Sequence, residues 1–315
     1  MRGFDTRLSI QKLEVFCAVA ELQSITRASD YLCVTQPVIT SHIQTLEDKL
    51  GTKLIRRERR GIVLTQAGIR VHKWAREMVT RTRELERELS GSAPNVPGVV
   101  IASSMSVGTY QLPGILCNFQ ASHPDGMVKL SISNPQVALE ETRTGASDFA
   151  VVIISPDQNL DGLVLHPLWD EPLLLASAID SQWVGNEVQR DQISQLPFIS
   201  TNNSSVMQKL EEGQLRANGV TSRRVVMALG HPEAQKEAVR RDVGVCFFFK
   251  SSVINSITRG ELRSVHTPGL AMSIPLYLVH RKDKEFSPFQ LELTQHIKSA
   301  RPPGVIPFGE SRPQA

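Results

Sequence analysis

The chain has 315 residues, roughly twice the length of one ordinary domain, so at least two folded units are expected. Apolar residues make up 41% and charged residues 21%, a globular and not a disordered composition, and no apolar run approaches the ~18–20 residues a membrane helix needs. The net charge of +3 is uninformative, but residues 1–90 carry sixteen Lys and Arg against eleven Asp and Glu, which leaves a slightly acidic body and points to a polyanionic partner for the N-terminal part alone.

The opening stretch, 1–13, has neither a continuous apolar core nor a small-residue cleavage site, so no secretory signal is expected and a cytoplasmic location is. Cys17, Cys33, Cys117 and Cys246 are far apart and form no CxxC pair, which argues against a zinc module and against a disulfide framework.

In chain order, Leu13, Phe16, Cys17 and Ala20 follow the spacing of one buried helix face. Ser24 is a suitable N-cap for a second helix ending near Leu32. Thr35 is in the same way an expected N-cap for a third, with Pro37 in its first turn, Ile39, Ile43 and Leu46 on one face, and Gly51 as its stop. Residues 53–57 and 62–64 read as two short strands around a basic turn, 58–61. Thr65 then caps a long helix over 66–89. Its stripe of Ala67, Val71, Trp74, Met78, Leu85 and Leu89, weak at Thr82, resembles a coiled-coil seam and suggests pairing with a second copy.

The run 91–98 is the clearest linker. Beyond it, strands are expected at 99–103, 127–133, 149–154, 163–168, 173–177, 198–200, 225–228, 243–248 and 274–280, with helices over 108–122, 136–144 and 288–300 among those between them. Such alternation predicts a parallel α/β sheet in two halves, with a ligand cleft at the strand carboxyl ends. The expected boundaries are 1–66 for a DNA-binding unit, 67–91 for a linker and dimerisation helix, and 92–300 for the body. The body divides into 97–162 with 268–300, and 163–267, and a tail of 301–315 follows. No internal repeat is found.

Residues 25–43 fit a helix-turn-helix. Ala28 and Ser29 are small where two helices cross, Leu32 and Val34 flank the turn, and Ile39 and Ile43 lock the second helix; Cys33 stands where glycine is usual. The second helix points Gln36, Thr40, Ser41 and Gln44 outward, short hydrogen-bonding side chains suited to base edges and phosphates. Arg56, Arg57, Arg59 and Arg60 in the hairpin make a basic wing able to reach a minor groove or the backbone. Each part has a bland reading, since arginine clusters are usually solvated turns; their order within a basic segment favours DNA.

At this point the sequence resembles the LysR-type transcriptional regulators. Matching positions are Leu13, Phe16 and Val19, the run Ser24-Ile25-Thr26-Arg27-Ala28-Ser29, Leu32 and Thr35-Gln36-Pro37 through Ile43, Leu46-Glu47, Leu50-Gly51, Leu54-Ile55-Arg56-Arg57 and Leu64-Thr65-Gln66-Ala67-Gly68. Ser29, Thr35, Thr40 and Ile55 depart conservatively. The resemblance implies an N-terminal winged helix-turn-helix with a long linker helix, and a C-terminal α/β effector domain of two Rossmann-like subdomains, similar to periplasmic solute-binding proteins. Looser landmarks in the body are Leu112-Pro113, His123-Pro124, Gly145 through Asp148, Gly244-Val245 and Arg281-Lys282-Asp283. It also implies a homodimer assembling to a homotetramer, double-stranded promoter DNA and RNA polymerase as partners, and a small-molecule effector as regulator. The expected DNA-contacting set is Thr26, Arg27, Thr35, Gln36, Pro37, Thr40, Ser41, Gln44, Arg57 and Arg60.

The body shows no GxSxG, P-loop, GxGxxG or HExxH motif, so neither catalysis nor a metal or cofactor is expected. Ser103, Ser104 and Ser106 follow one strand, Thr201, Asn202, Asn203, Ser204 and Ser205 follow another, and Asn134 a third; with His231 they form the expected effector set. Hydroxyls, amides and helix N-termini converging on a pocket suit a small anionic or polar metabolite, such as a carboxylate or phosphate. The same residues are ordinary helix caps, and an uncharged or aromatic effector stays open. Two rivals remain: a solute-binding transport protein, which would not need residues 8–68, and an α/β enzyme with an appended regulatory module.

Overall fold

The computed structural model describes residues 9–58, 61–90, 96–201, 205–300, 302 and 305–309, without the side chains of 83, 84 and 86–90. The N-terminal unit runs α1 (Ile10–Leu22), α2 (Ile25–Leu32), α3 (Gln36–Leu50), β1 (Ile55–Glu58), β2 (Gly61–Leu64) and α4 (Gln66–Ser90). Its core is built from Leu13, Phe16, Val19, Ala28, Ile39, Ile43 and Leu46, all buried and in one cluster. Ala28 is fully enclosed at the α2–α3 crossing, and Ser29 beside it donates its hydroxyl to the Thr26 carbonyl at 2.7 Å.

The Ser24 hydroxyl accepts from Arg27 N at 3.3 Å, as a cap should. Thr35 occupies the corresponding position before α3, but its side chain makes no cap hydrogen bond, contrary to the expectation. Cys33 ends α2 with φ of 54°, a left-handed turn that explains why glycine suits this position. Thr65 does cap α4, accepting from Gly68 N at 2.9 Å while donating to the Lys53 carbonyl at 2.7 Å. Gly68 lies so close to β1 that a Cβ there would sit 2.0 Å from the Leu54 carbonyl oxygen.

On α4 the face packed on the N-terminal core is distinct from the stripe expected to pair with a second copy. Ala75 and Val79 are fully buried against the N-terminal core, with Ala67, Val71 and Met78 half-buried beside them. Trp74 and Leu85 are exposed, three turns apart on one face. The expected Leu89 contact, the arginines 59 and 60, and the linker 91–95 fall outside the described residues or side chains.

The body begins with β3 (Gly98–Ser104), α5 (Met105–Tyr110), α6 (Leu112–Ser122), β4 (Met127–Ser133), α7 (Pro135–Arg143) and β5 (Phe149–Ile153). The single helix expected over 108–122 is thus two, broken at Gln111, whose φ and ψ of −111° and −53° interrupt the helical ladder. Then come β6 (Leu163–Ser177), β7 (Pro197–Ser200), α8 (Val206–Ala217), β8 (Arg224–Ala228), α9 (Pro232–Arg240), β9 (Cys246–Phe249), α10 (Lys250–Thr258), β10 (Arg263–Val265), β11 (Ser273–Arg281), α11 (Pro288–Ser299) and β12 (Ile306–Pro307).

Sheet topology corrects the expectation of a purely parallel sheet. The large sheet has the order β10-β6-β11-β5-β3-β4, with β9 and β12 also on β6. Among the named strands, β3 pairs with β4 and β5, and β7 with β8, in parallel; β6 and β11 run antiparallel to their neighbours. The strands expected at 163–168 and 173–177 are one continuous β6. Its first half pairs β11 from Leu163 to Pro172 and its second half pairs β9 and β10 from Leu173 onward. A strand that leaves one sheet and enters another must run through both, and its return partner lies antiparallel to it. One apolar cluster, from Phe149 and Ile101 through Trp169 to Phe198 and Phe247, spans both halves.

Candidate DNA interface and effector cleft

The face of α3 opposite Ile39, Ile43 and Leu46 presents Gln36, Pro37, Ser41 and Gln44, all exposed, with Thr35 just before them. Thr40 is half-buried and donates to the Gln36 carbonyl at 3.0 Å. Arg56 and Arg57 on β1 are exposed, and Arg57 pairs Ile62 across the hairpin. Thr26 and Arg27 are exposed on the first turn of α2, beside the start of α3. These residues lie on one unit whose inner face is closed by packing, so their geometry is fixed by the core.

One residue of this interface was visible only as a letter in a motif. Glu47, buried on α3, accepts from Leu54 N at 2.8 Å, Ile55 N at 3.3 Å and Lys53 Nζ at 2.6 Å. Burial works to raise its carboxyl, and the three donors outweigh burial, holding it below the usual carboxylate value. Glu47 therefore fixes the wing relative to the recognition helix.

In the body, a cavity of about 350 Å³ opens where α5, α7, α8 and α9 begin. Of the expected effector set, Ser104, Ser106, Asn134 and Thr201 line it. Ser103 faces away, donating to the Val151 carbonyl at 2.7 Å within the sheet. His231 is not in the lining; its Nδ1 accepts from Glu233 N at 3.2 Å as the cap of α9, next to the lining residue Pro232. Asn202 and Ser204, with Asn203, lie outside the described residues.

The Asn134 side-chain Oδ1 caps α7 by accepting from Val137 N at 2.9 Å, and the Ser205 hydroxyl caps α8 by accepting from Gln208 N at 3.1 Å. The hydroxyls of Thr201 and Ser205 are 2.8 Å apart. Ser104 Oγ is buried and has no hydrogen-bond partner among the described residues. A buried hydroxyl without a partner is costly unless something docks against it. Its neighbours Met105, Ile153, Val206, Met207 and Phe248 supply an apolar wall. No lysine or arginine is among the lining residues described. The sequence reading missed Glu211, which lines the cavity, is buried and is ion-paired with Arg223; burial raises its carboxyl, to about 7, against the pull of Arg223. Nothing local in the sequence marks it.

Across the cleft, Tyr110 donates to Glu233 at 2.5 Å and Lys209 reaches Asp157 at 2.6 Å. Gln111, at the helix break, donates to Ser251 at 3.3 Å and accepts from Trp169 Nε1 at 2.9 Å. These contacts bond the two halves to each other directly.

A second polar cluster joins the body to the N-terminal unit. Arg143, at the end of α7, donates to Glu21 of α1 at 2.9 Å, to Glu140 at 3.1 Å and to the Asn159 carbonyl at 2.7 Å. The other Glu21 oxygen lies 3.1 Å from His72 Nε2 of α4. Burial works to raise the Glu21 carboxyl, and His72, Arg143 and Arg76 outweigh it, holding it low. Burial and the Glu21 charge push Glu140 the other way, up to about 8, against Arg143.

A winged helix-turn-helix with an exposed polar recognition helix, followed by a two-part α/β body with a cleft lined by hydroxyls, an amide and apolar side chains, defines a ligand-responsive DNA-binding regulator. The comparisons agree. The family profile described as bacterial regulatory helix-turn-helix protein, lysR family, matches residues 10–69, and that of the LysR substrate binding domain matches 96–301. The chain belongs to the LysR family of transcriptional regulators, with a small-molecule effector domain.

Among curated relatives it is 25% identical over 299 residues to a probable RuBisCO transcriptional regulator of Trichormus variabilis, covering 93% of this chain and 88% of that protein. It is also 25% identical over 282 residues to the RuBisCO operon transcriptional regulator of Allochromatium vinosum, covering 89% and 92%. Solved structures with the same fold include an OxyR C206 mutant of Corynebacterium glutamicum, with a TM-score of 0.57, 19% identity and coverage of 93% and 92%. Full-length CbnR complexed with its target DNA has a TM-score of 0.54, 22% identity and coverage of 92% and 99%.

Proposed function

We propose that the protein reads promoter DNA with Gln36, Pro37, Ser41 and Gln44 of α3, grips the adjacent backbone with Thr26, Arg27, Thr35, Arg57 and, outside the described residues, Arg60, and answers to a small polar or singly charged anionic metabolite in the cleft. The observation that carries the reading is the outer face of α3: exposed, hydrogen-bonding and uncharged, on a helix whose other face is locked in a core and whose flank bears a basic hairpin. Thr40, half-buried, contributes its hydroxyl oxygen as an acceptor.

The cleft favours a ligand whose polar end meets Ser104, Asn134 and Thr201 and whose apolar side meets Met105 and Phe248. Hydroxyls and helix N-termini satisfy one negative charge; a dianion would ordinarily call for a cation. The exposed Trp74 and Leu85 on α4 support a two-fold helix pair, and so two recognition helices on an inverted repeat, with dimers pairing into tetramers. The action is one of binding and not of catalysis: in a cytoplasmic setting, ligand-dependent rearrangement changes DNA bending and contact with RNA polymerase. A ligand achieves this only by differential affinity for two states.

The test is footprinting of the full-length protein on its own upstream region, with two variants. Arg57→Ala should weaken binding to all sequences and reduce the salt slope by about one unit. Gln36→Ala should relax sequence preference, by about 1–3 kcal/mol at the base pair it reads. Unchanged footprints in both variants would dismiss this surface. Thermal-shift profiling against small carboxylates, with Ser104→Ala as control, tests the cleft.

A further inference from the structure

Helix α7 touches both functional regions. At its start Asn134, Pro135 and Gln136 line the effector cleft. The Gln136 side-chain oxygen accepts from Arg27 Nη2, on the first turn of α2, at 2.6 Å. At its end Arg143 is locked to Glu21 of α1, with the Arg143 side chain 3% and the Glu21 side chain 8% exposed. Between these ends Ala138 and Leu139 are buried and packed with β3 and β5 strand residues, so the helix is held firmly along its ~13 Å length.

Two contacts with unlike properties therefore tie α7 to the DNA-reading unit. The Glu21–Arg143 pair is shielded from water, where a charge-paired hydrogen bond is strong and breaking it leaves uncompensated charge. The Arg27–Gln136 bond is exposed, and its acceptor is a neutral amide. Such a bond is easily exchanged for a better partner. A DNA phosphate is a better partner for the Arg27 guanidinium. A ligand polar group in the cleft is a rival partner for the Gln136 amide.

We propose that Gln136 is a switch residue shared between effector and Arg27. While it holds Arg27, the arginine is withheld from the DNA backbone; an effector that engages Gln136 releases it, and the Glu21–Arg143 pair acts as the pivot that keeps the two units together. This rests on the assignment of Arg27 to the DNA surface and of the cavity to the effector. By linkage the effect runs both ways, so DNA that captures Arg27 also leaves Gln136 free for the ligand.

The experiment is a double-mutant cycle on the full-length chain. Affinity for a fluorescein-labelled random-sequence duplex of ~40 base pairs, long enough for a dimer, is read by anisotropy at low salt. Gln136→Ala should bind about fivefold more tightly than the wild type, the scale of one net hydrogen bond. Arg27→Ala should bind more weakly, and in that background Gln136→Ala should have no effect, which a merely structural disturbance would not reproduce. Hydrogen exchange of 25–32 should quicken in Gln136→Ala and in Arg143→Gln, whether or not duplex is present. Tightening that persists without Arg27, or unchanged affinity and exchange in Gln136→Ala, overturns the switch. A wild-type protein that ignores the duplex, with exchange of 25–32 responding as stated, would instead condemn the DNA assignment and spare the contact.

Discussion

Glu47 offers the sharpest quantitative test of how the DNA-reading unit is held together. Its carboxylate serves two backbone N–H groups, Leu54 and Ile55, and the exposed Lys53 ammonium. In Glu47→Ala the Leu54 N–H is left buried without a partner, at about 1–3 kcal/mol, and the half-buried Ile55 N–H adds less because water reaches it. The Lys53 ammonium is solvent-exposed, so water screens its pairing and it adds little. The total is about 1–3 kcal/mol. Glu47→Gln keeps an acceptor for the backbone groups and should cost only about 1 kcal/mol. Urea unfolding of the full-length chain, with hydrogen exchange at Leu54 as the local probe, separates the two variants. Leu54 exchange should accelerate by about five- to 150-fold in the alanine variant, since 1.4 kcal/mol is about a factor of ten. Because the folded-state pKa of Glu47 is depressed, its stabilisation is present above the ordinary carboxylate pKa and is lost as pH falls through the folded value. Equal loss in both variants would show that charge and not backbone satisfaction is what matters, and a loss in Glu47→Ala under about 0.5 kcal/mol would refute the clamp altogether.

Three further expectations concern the same units. Cys33→Gly removes a left-handed residue with a side chain at the helix-turn-helix corner, and should raise stability by about 0.5–1 kcal/mol in urea titration. Gly68→Ala places a Cβ on the Leu54 carbonyl, so it should cost about 3 kcal/mol or more and lower the melting temperature of the N-terminal unit. Glu140 binds its proton more tightly in the folded chain than in the unfolded one; its contribution is therefore full at low pH and is lost as pH rises from about 5 to about 8. Glu140→Gln should flatten that part of the stability profile, and an unaltered slope would exclude Glu140 as its source.

The DNA-reading unit was legible because its signals are local: small residues at Ala28 and Ser29, the 3.6-residue spacing of Ile39, Ile43 and Leu46, and a stop at Gly51. On α4 the stripe through Trp74 is expected to meet a second copy, and packing against α1 uses a different face, Ala75 and Val79, one position around the helix. Strands expected separately at 163–168 and 173–177 are one β6; the prolines Pro167 and Pro172 sit within it, and β11 accommodates this stretch with an irregular register between Pro275 and Tyr277. In the cleft, strand alternation separates Ser104 from Ser103, a rule the sequence already contained. His231 serves as a cap, which was the plainer of its two readings. Glu211 and the Glu21–Arg143 pair depend on contacts between distant segments, and neither leaves a local mark.

The continuity of β6 limits how the body can open. A hinge made of loose loops swings freely, but here the two halves share an unbroken strand, doubled by β11 and bordered by β12 at Trp169 and Asp170. Rotation about it must be taken up as torsion of a hydrogen-bonded ribbon, so travel is short and elastic. Substitutions at Ile306 or Phe308, far along the chain from any nucleotide, would then change the stiffness of that ribbon and tune the response without touching effector or operator.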